Sequence, residues 1–200
     1  KNGLDIFVTD CNNHRIQRFN RKLNYIATLF TRDDESALSR FGYPSSTIVN
    51  SKNELFVCDG ENKRVVEFSN FEKVEKSFGG FDAGKGKLHS PLQMDIDSVE
   101  RLYVLEKNKI ISFDPFGNYL NTIGEGNLQN ATGFCVFGDD ILVADSTNMV
   151  LFSLEVKWNG TLPTNEILNI PSSPLMVDVS AWKSTLYILS PHTIYIVKNE

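Results

Sequence analysis

The chain has 200 residues, 41% hydrophobic and 22% charged, a globular composition that excludes wholesale disorder. Wholly apolar runs stop at about four residues, as in Ile141-Leu142-Val143-Ala144, far short of the roughly 20 a membrane-spanning helix needs, and three cysteines are too few to staple a disulfide scaffold. The net charge of −5 is uneven: residues 1–90 carry 14 Lys/Arg against 12 Asp/Glu, a balance of +2, and residues 91–200 carry 6 against 13, a balance of −7, which makes nucleic acid an unfavoured partner.

In chain order, one short pattern returns five times. Asp5-Ile6-Phe7-Val8-Thr9-Asp10 is followed by Glu54-Leu55-Phe56-Val57-Cys58-Asp59, then by Arg101-Leu102-Tyr103-Val104-Leu105-Glu106. Asp140-Ile141-Leu142-Val143-Ala144-Asp145 and Thr185-Leu186-Tyr187-Ile188-Leu189-Ser190 complete the series. The markers Val8, Val57, Val104, Val143 and Ile188 lie 49, 47, 39 and 45 residues apart. Each copy is a β-branched and aromatic run closed by a polar residue, which is strand composition with a turn after it.

A second strand follows each copy: 16–19, 65–68, 110–113, 151–154 and 194–197. A third is predicted at Tyr25–Phe30, Val74–Phe78, Tyr119–Ile123 and Glu166–Ile170. From the second copy on, a further strand precedes the marker, at Ser46–Asn50, Met94–Ser98, Thr132–Phe137 and Leu175–Val179. The unit is four antiparallel strands in about 45 residues, the period of a propeller blade. Stacked blades bury both faces of their middle strands, so runs such as Leu102-Tyr103-Val104-Leu105 need no polar alternation. The expectation is an all-β fold, a β-propeller of four-stranded antiparallel blades, about five of them. One domain over 1–200 is expected, with repeats near 1–40, 41–88, 89–126, 127–170 and 171–200. The first copy lacks the inner strand and the last lacks the outer one, so the chain is either five-bladed or an incomplete or trimmed six-bladed relative. Lys1 in place of an initiator methionine reads as a processed or trimmed chain.

Ile6-Phe7-Val8-Thr9-Asp10-Cys11-Asn12-Asn13-His14-Arg15-Ile16-Gln17-Arg18-Phe19 resembles the core motif of the NHL-repeat family of β-propellers. The second copy, with Asp59, Asn62, Arg64 and Val65, and the third, with Asp114-Pro115-Phe116-Gly117-Asn118, are similar to it. Later copies depart: Val150 replaces the arginine of the fourth, and the fifth keeps only its strands. The resemblance implies a propeller but not one activity, because such propellers include binding modules, scaffolds and a few enzymes. It also implies a Gly-rich inter-blade connection at 78–87, and export from the cytoplasm, frequent among bacterial relatives.

Few residues ask for a chemical reading. Asp10-x-x-Asn13-x-Arg15 and Asp59-x-x-Asn62-x-Arg64 read as turn motifs, with Asp and Asn bonded to nearby backbone or to the arginine. No zinc-type His/Cys spacing, nucleophile elbow or complete phosphate loop is present, so no catalytic, cofactor or metal residue is predicted. Cys11, Cys58 and Cys135 read as free thiols on or beside core strands. Two sets of residues stand out as binding candidates. Trp158, with Leu162 and Pro163, lies in the least repeat-like stretch, 155–174, as a possible interface anchor. Arg15, Arg18, Lys63 and Arg64 offer a basic face to an anion or RNA. The expected function is a non-enzymatic scaffold for protein–protein interaction, an accessory subunit or domain of a larger assembly. The alternatives are a propeller hydrolase or lyase with a channel metal, and RNA binding on the basic face of the first two blades.

Overall fold

The computed structural model describes residues 5–30, 41–153, 158–170 and 172–198; of residues 153, 158 and 159 it describes the backbone alone. It is an all-β propeller fold of five antiparallel sheets. The first sheet is β1 (Asp5–Asp10), β2 (Arg15–Asn20) and β3 (Tyr25–Leu29). The second is β4 (Pro44–Val49), β5 (Leu55–Asp59), β6 (Arg64–Ser69) and β7 (Lys73–Phe78). The third is β8 (Gln93–Ile96), β9 (Leu102–Glu106), β10 (Lys109–Phe113) and β11 (Tyr119–Ile123). The fourth is β12 (Ala131–Phe137), β13 (Asp140–Asp145), β14 (Asn148–Ser153) and β15 (Trp158–Pro163). The fifth is β16 (Asp178–Trp182), β17 (Thr185–Leu189) and β18 (Ile194–Lys198). In each sheet the strands run in sequence order from one edge to the other, the up-and-down connectivity of a blade. The terminal sheets hold three described strands, the first without an inner strand and the last without an outer one.

Two compact units are present. One is residues 1–104 with 113–120, the other 105–112 with 121–200. In the first unit, Leu29, Leu55, Val57, Val66 and Phe68 form a buried cluster, with Phe7 and Val49 packed on it. In the second, Leu142, Ala144, Met149, Val179 and Ile188 do the same, with Leu186 and Tyr195 against them. The middle strands behave as stacked sheets require: every residue of β5 and β9 is buried, while outer strand β7 alternates between exposed and half-buried.

Four expectations need correction. Val57, Val104, Val143 and Ile188 are fully buried, but Val8 is 42% exposed. Alternation along β1 sends Phe7 into the core cluster and leaves Ile6 and Val8 on the opposite face, which nothing described in that unit covers. The segment expected as a strand at 166–170 is instead a short helix, α1 (Thr164–Leu168). Pro163 precedes it at φ −59, the Thr164 hydroxyl donates to the Thr147 carbonyl at 2.8 Å, and Asn169 ends it at φ +51. The outer strand of that sheet is β15, so Trp158 begins a strand opposite Phe152 rather than standing outside the pattern. The inner strand expected at 175–179 lies a few residues later, as β16, starting at Asp178.

Candidate functional site

The aspartates closing three of the marker strands, Asp10, Asp59 and Asp145, perform a structural task. Asp59 is fully buried, and its carboxylate accepts the Gly42 N–H at 2.6 Å, the Asn62 side-chain amide at 2.9 Å and the Arg64 Nε at 2.9 Å. Asp145 accepts the N–H groups of Gln129 and Asn130 at 2.9 and 2.7 Å. Each carboxylate fixes the loop arriving at its own sheet by accepting its backbone N–H groups, that of Gly42 buried. Asp10 makes the same side-chain bonds in a more open setting, to Asn13 at 2.8 Å and Arg15 at 2.8 Å; those two partners hold its carboxyl below the usual aspartate range. Hairpin turns use the same device. The Asn20, Asn50, Asp97 and Asp114 side chains each accept two backbone N–H groups from the next four residues. Asp97 also accepts the Arg101 guanidinium at 2.6 Å and the buried Tyr103 hydroxyl at 3.1 Å. Burial in the first place, and then the Asp97 charge, push the Tyr103 phenol well above its usual range.

Two features remain after this structural accounting. The first is a cleft of about 520 Å³ in the first unit, walled by the Gly-rich connection after β7 and by the β10–β11 turn. Arg64, Phe78, Gly80, Phe81, Asn118 and Tyr119 line it. Phe81 is 83% exposed at its rim, with the Lys87 ammonium 4.3 Å from the ring centroid. Gly79 shapes this wall: its φ is +77, and a Cβ there would lie 2.6 Å from Leu88 Cδ1. The second feature is the outer face of the last sheet. Trp182, Tyr187, Leu189, Ile194 and Ile196 share it by register, and Trp182, Ile194 and Ile196 are each more than half exposed. In the other unit, the first sheet leaves Ile6, Val8 and Tyr25 exposed on its own outer face.

The repeat, its acid-locked turns and its blade connectivity coincide with a sequence match: residues 2–19 match the NHL repeat. The chain is a β-propeller bearing an NHL repeat. No curated protein sequence is significantly similar to it. Solved structures with the same fold include the virginiamycin B lyase of Staphylococcus aureus, solved as a catalytically inactive variant with Quinupristin, at 11% identity and TM-score 0.70 over 98% of this chain and 67% of that one. A streptogramin B lyase aligns at 13% identity and TM-score 0.72, over 98% of this chain and 62% of that one. BamB from Moraxella catarrhalis aligns at 9% identity and TM-score 0.65, over 96% and 55%. This NHL-bearing propeller therefore spans 55 to 67% of the length of these three chains. At such identities the likeness is one of fold.

The structure distributes the sequence-predicted candidates widely. Arg15 is bonded to Asp10, Arg18 to Asp5 with its guanidinium 5.0 Å from the Phe71 centroid, and Arg64 to Asp59. Three of the four basic-face residues are thus charge-compensated by their own blade; Lys63 is exposed in a turn at φ +55. His14 is held at φ +55, with Nδ1 3.2 Å from the Phe41 carbonyl oxygen and its ring edge-on to Tyr43. Cys58 is buried, which drives its thiol far above the usual range, and none of the three cysteines is disulfide-bonded. Leu162 is 45% exposed and Pro163 half-buried; the Trp158 side chain, like residues 154–157, lies outside the described residues. Sequence reasoning missed Trp182, Ile194 and Ile196. Their signal was present as the alternation Ile194-Tyr195-Ile196-Val197, which reads as a strand without revealing that one face is bare.

Proposed function

We propose that this propeller is a non-enzymatic interaction module, an accessory subunit or domain of a larger assembly. The observation that carries the reading is the bare apolar face of the last sheet, with Trp182 68%, Ile194 63% and Ile196 58% exposed. A contiguous apolar surface of this kind marks a protein contact or an aggregation hazard, and Trp is the residue type most enriched among interface hot spots. Edge strand β18, which carries Ile194 and Ile196, has no outer neighbour among the described residues. It offers unpaired backbone groups to a partner strand. The partner is a protein that supplies a sheet or strand with an apolar face. An extracytoplasmic setting belongs to the proposal and rests on the resemblance to exported propellers.

The test compares wild-type chain with Trp182→Asp and Ile196→Lys in capture from extracts of the source organism, with far-UV circular dichroism on each protein. The expected result is a defined protein partner held by wild type and lost by both variants, whose spectra are unchanged. Equal capture by all three proteins overturns the reading. So does a small-molecule turnover that survives in the variants, which places the chain with the propeller enzymes.

A further inference from the structure

We infer that the cleft of the first unit binds a carboxylate that carries an aromatic ring, at a site separate from the outer sheet faces. The carboxylate recogniser is Arg64. Its Nε is committed to Asp59 at 2.9 Å, an anchor that fixes the guanidinium plane, and the same residue lines the cleft. Arginine's planar fork matches a carboxylate in two parallel hydrogen bonds, and a guanidinium already oriented loses little freedom on binding. The aromatic recogniser is Phe81. A phenylalanine 83% exposed has no role in the core, and its neighbour Gly80 leaves open space where a side chain would stand. A second exposed phenylalanine, Phe116 at 74%, sits on the β10–β11 turn immediately before cleft residues Gly117 and Asn118. The cavity of about 520 Å³ is in the range that accommodates small ligands.

Charge supports the assignment. Asp82 is the one carboxylate among the lining residues, and it is exposed. Against it stand Lys87 over the Phe81 ring and exposed Lys85 on the same connection, while Arg64 shares its charge with Asp59. The site therefore joins cationic side chains to an aromatic rim, which selects an aromatic acid over a neutral aromatic or a simple anion.

Such a group is presented by a free aromatic acid or by a peptide ending in an aromatic residue, and the experiment separates them. ¹⁵N-labelled protein is titrated with N-acetylphenylalanine, with the peptide Ser-Gly-Ser-Gly-Ser-Phe, and with that peptide amidated at its C-terminus. The expected result is saturable shifts at the Gly80, Phe81 and Asn118 amides for both free acids, with the amidated peptide weaker by about tenfold or more. Tighter binding of the peptide identifies a chain end as the ligand; equal binding identifies a small acid. Phe81→Ala, at an exposed position, should keep the wild-type spectrum elsewhere and weaken both acids by about tenfold, while Asp82→Asn should tighten them. Absence of saturable shifts up to about 10 mM, or equal binding of acid and amide, overturns the proposal. So does undiminished binding by Phe81→Ala, which makes the result independent of whether an Arg64 variant folds.

Discussion

Asp59 and Asp10 occupy the same place in successive repeats and make the same pair of side-chain bonds, so they form a natural experiment on burial. Asp59 is fully buried, and among the described residues it alone of the two also accepts a loop N–H, that of Gly42 at 2.6 Å. Replacing it by Ala strands that donor and leaves the Arg64 guanidinium without its counter-charge. Breaking a buried charge pair by removing one partner typically costs about 3–5 kcal/mol. Arg64 is about one-third exposed and can turn partly toward water, so the lower end, about 3 kcal/mol, is expected. Asp59→Asn keeps an acceptor for Gly42 but presents an amide to the guanidinium, and it should recover only part of the loss. Asp10→Ala should cost much less, because its Arg15 partner is 40% exposed. Urea unfolding followed by far-UV circular dichroism gives each difference, with an unchanged m-value as the sign that only stability moved. If Asp59→Ala costs no more than Asp10→Ala, the carboxylate is not a structural lock. Its burial then needs another explanation, a bound ligand first among them.

Three further outcomes follow from the packing and the titrations. Val57→Ala should cost about 2 kcal/mol, two methyl groups of fully buried side chain. Val8→Ala, at the matching repeat position, should stay within about 0.5 kcal/mol; equal costs would show that another element covers the first sheet's outer face. Gly79→Ala should cost about 1–2 kcal/mol through its positive φ and the collision with Leu88, while Gly80→Ala, with nothing in reach, should be close to neutral in the same unfolding assay. Glu67 is buried on β6, with Lys76 Nζ 3.1 Å away, and burial raises its carboxyl above the ordinary value of 4.5 despite that lysine. The native state then holds more protons than the unfolded chain from about pH 4.5 up to the raised value, so this residue's contribution to stability falls as pH rises through that window. Glu67→Gln should remove that slope, and an identical pH profile for wild type and variant would show that Glu67 titrates normally.

Most of the fold was legible because the repeat is redundant. Tyr119–Ile123 was read at its observed bounds, and the missing inner and outer strands of the terminal sheets were visible as gaps in the pattern. The misreadings cluster at 158–182, where the pattern weakens. Glu166-Ile167-Leu168-Asn169-Ile170 carries too few residues to separate a strand period from a helical turn. Pro163 before it and Asn169 at φ +51 decide for a helix. The turn motifs were read correctly as structural because Asp and Asn at those spacings have local partners whatever surrounds them. No local rule could show which of two identical-looking carboxylates is buried, since Asp59 owes its burial to a loop 17 residues away.

The same limit explains why binding surfaces were the least legible part. A strand's alternation states which residues share a face, and it is silent on whether that face meets another sheet. Val8 and Val57 are the same residue in the same motif, one 42% exposed and the other at 0%. What separates them is the presence of a packed neighbour on that side, a property of the assembly of blades and not of the strand. The functional information in a repeat protein therefore lies where equivalent positions differ in environment. In this chain those places are the outer faces of the first and last sheets, where core-type residues stand bare, and the rim at Phe81, where an aromatic ring stands in solvent at a cleft that an anchored arginine also lines. Residues chosen for their chemistry alone, Arg15 and Arg18 among them, proved to be matched by carboxylates of their own sheet. Side chains that the repeat would bury, and that the structure leaves exposed, are the ones a partner has reason to cover.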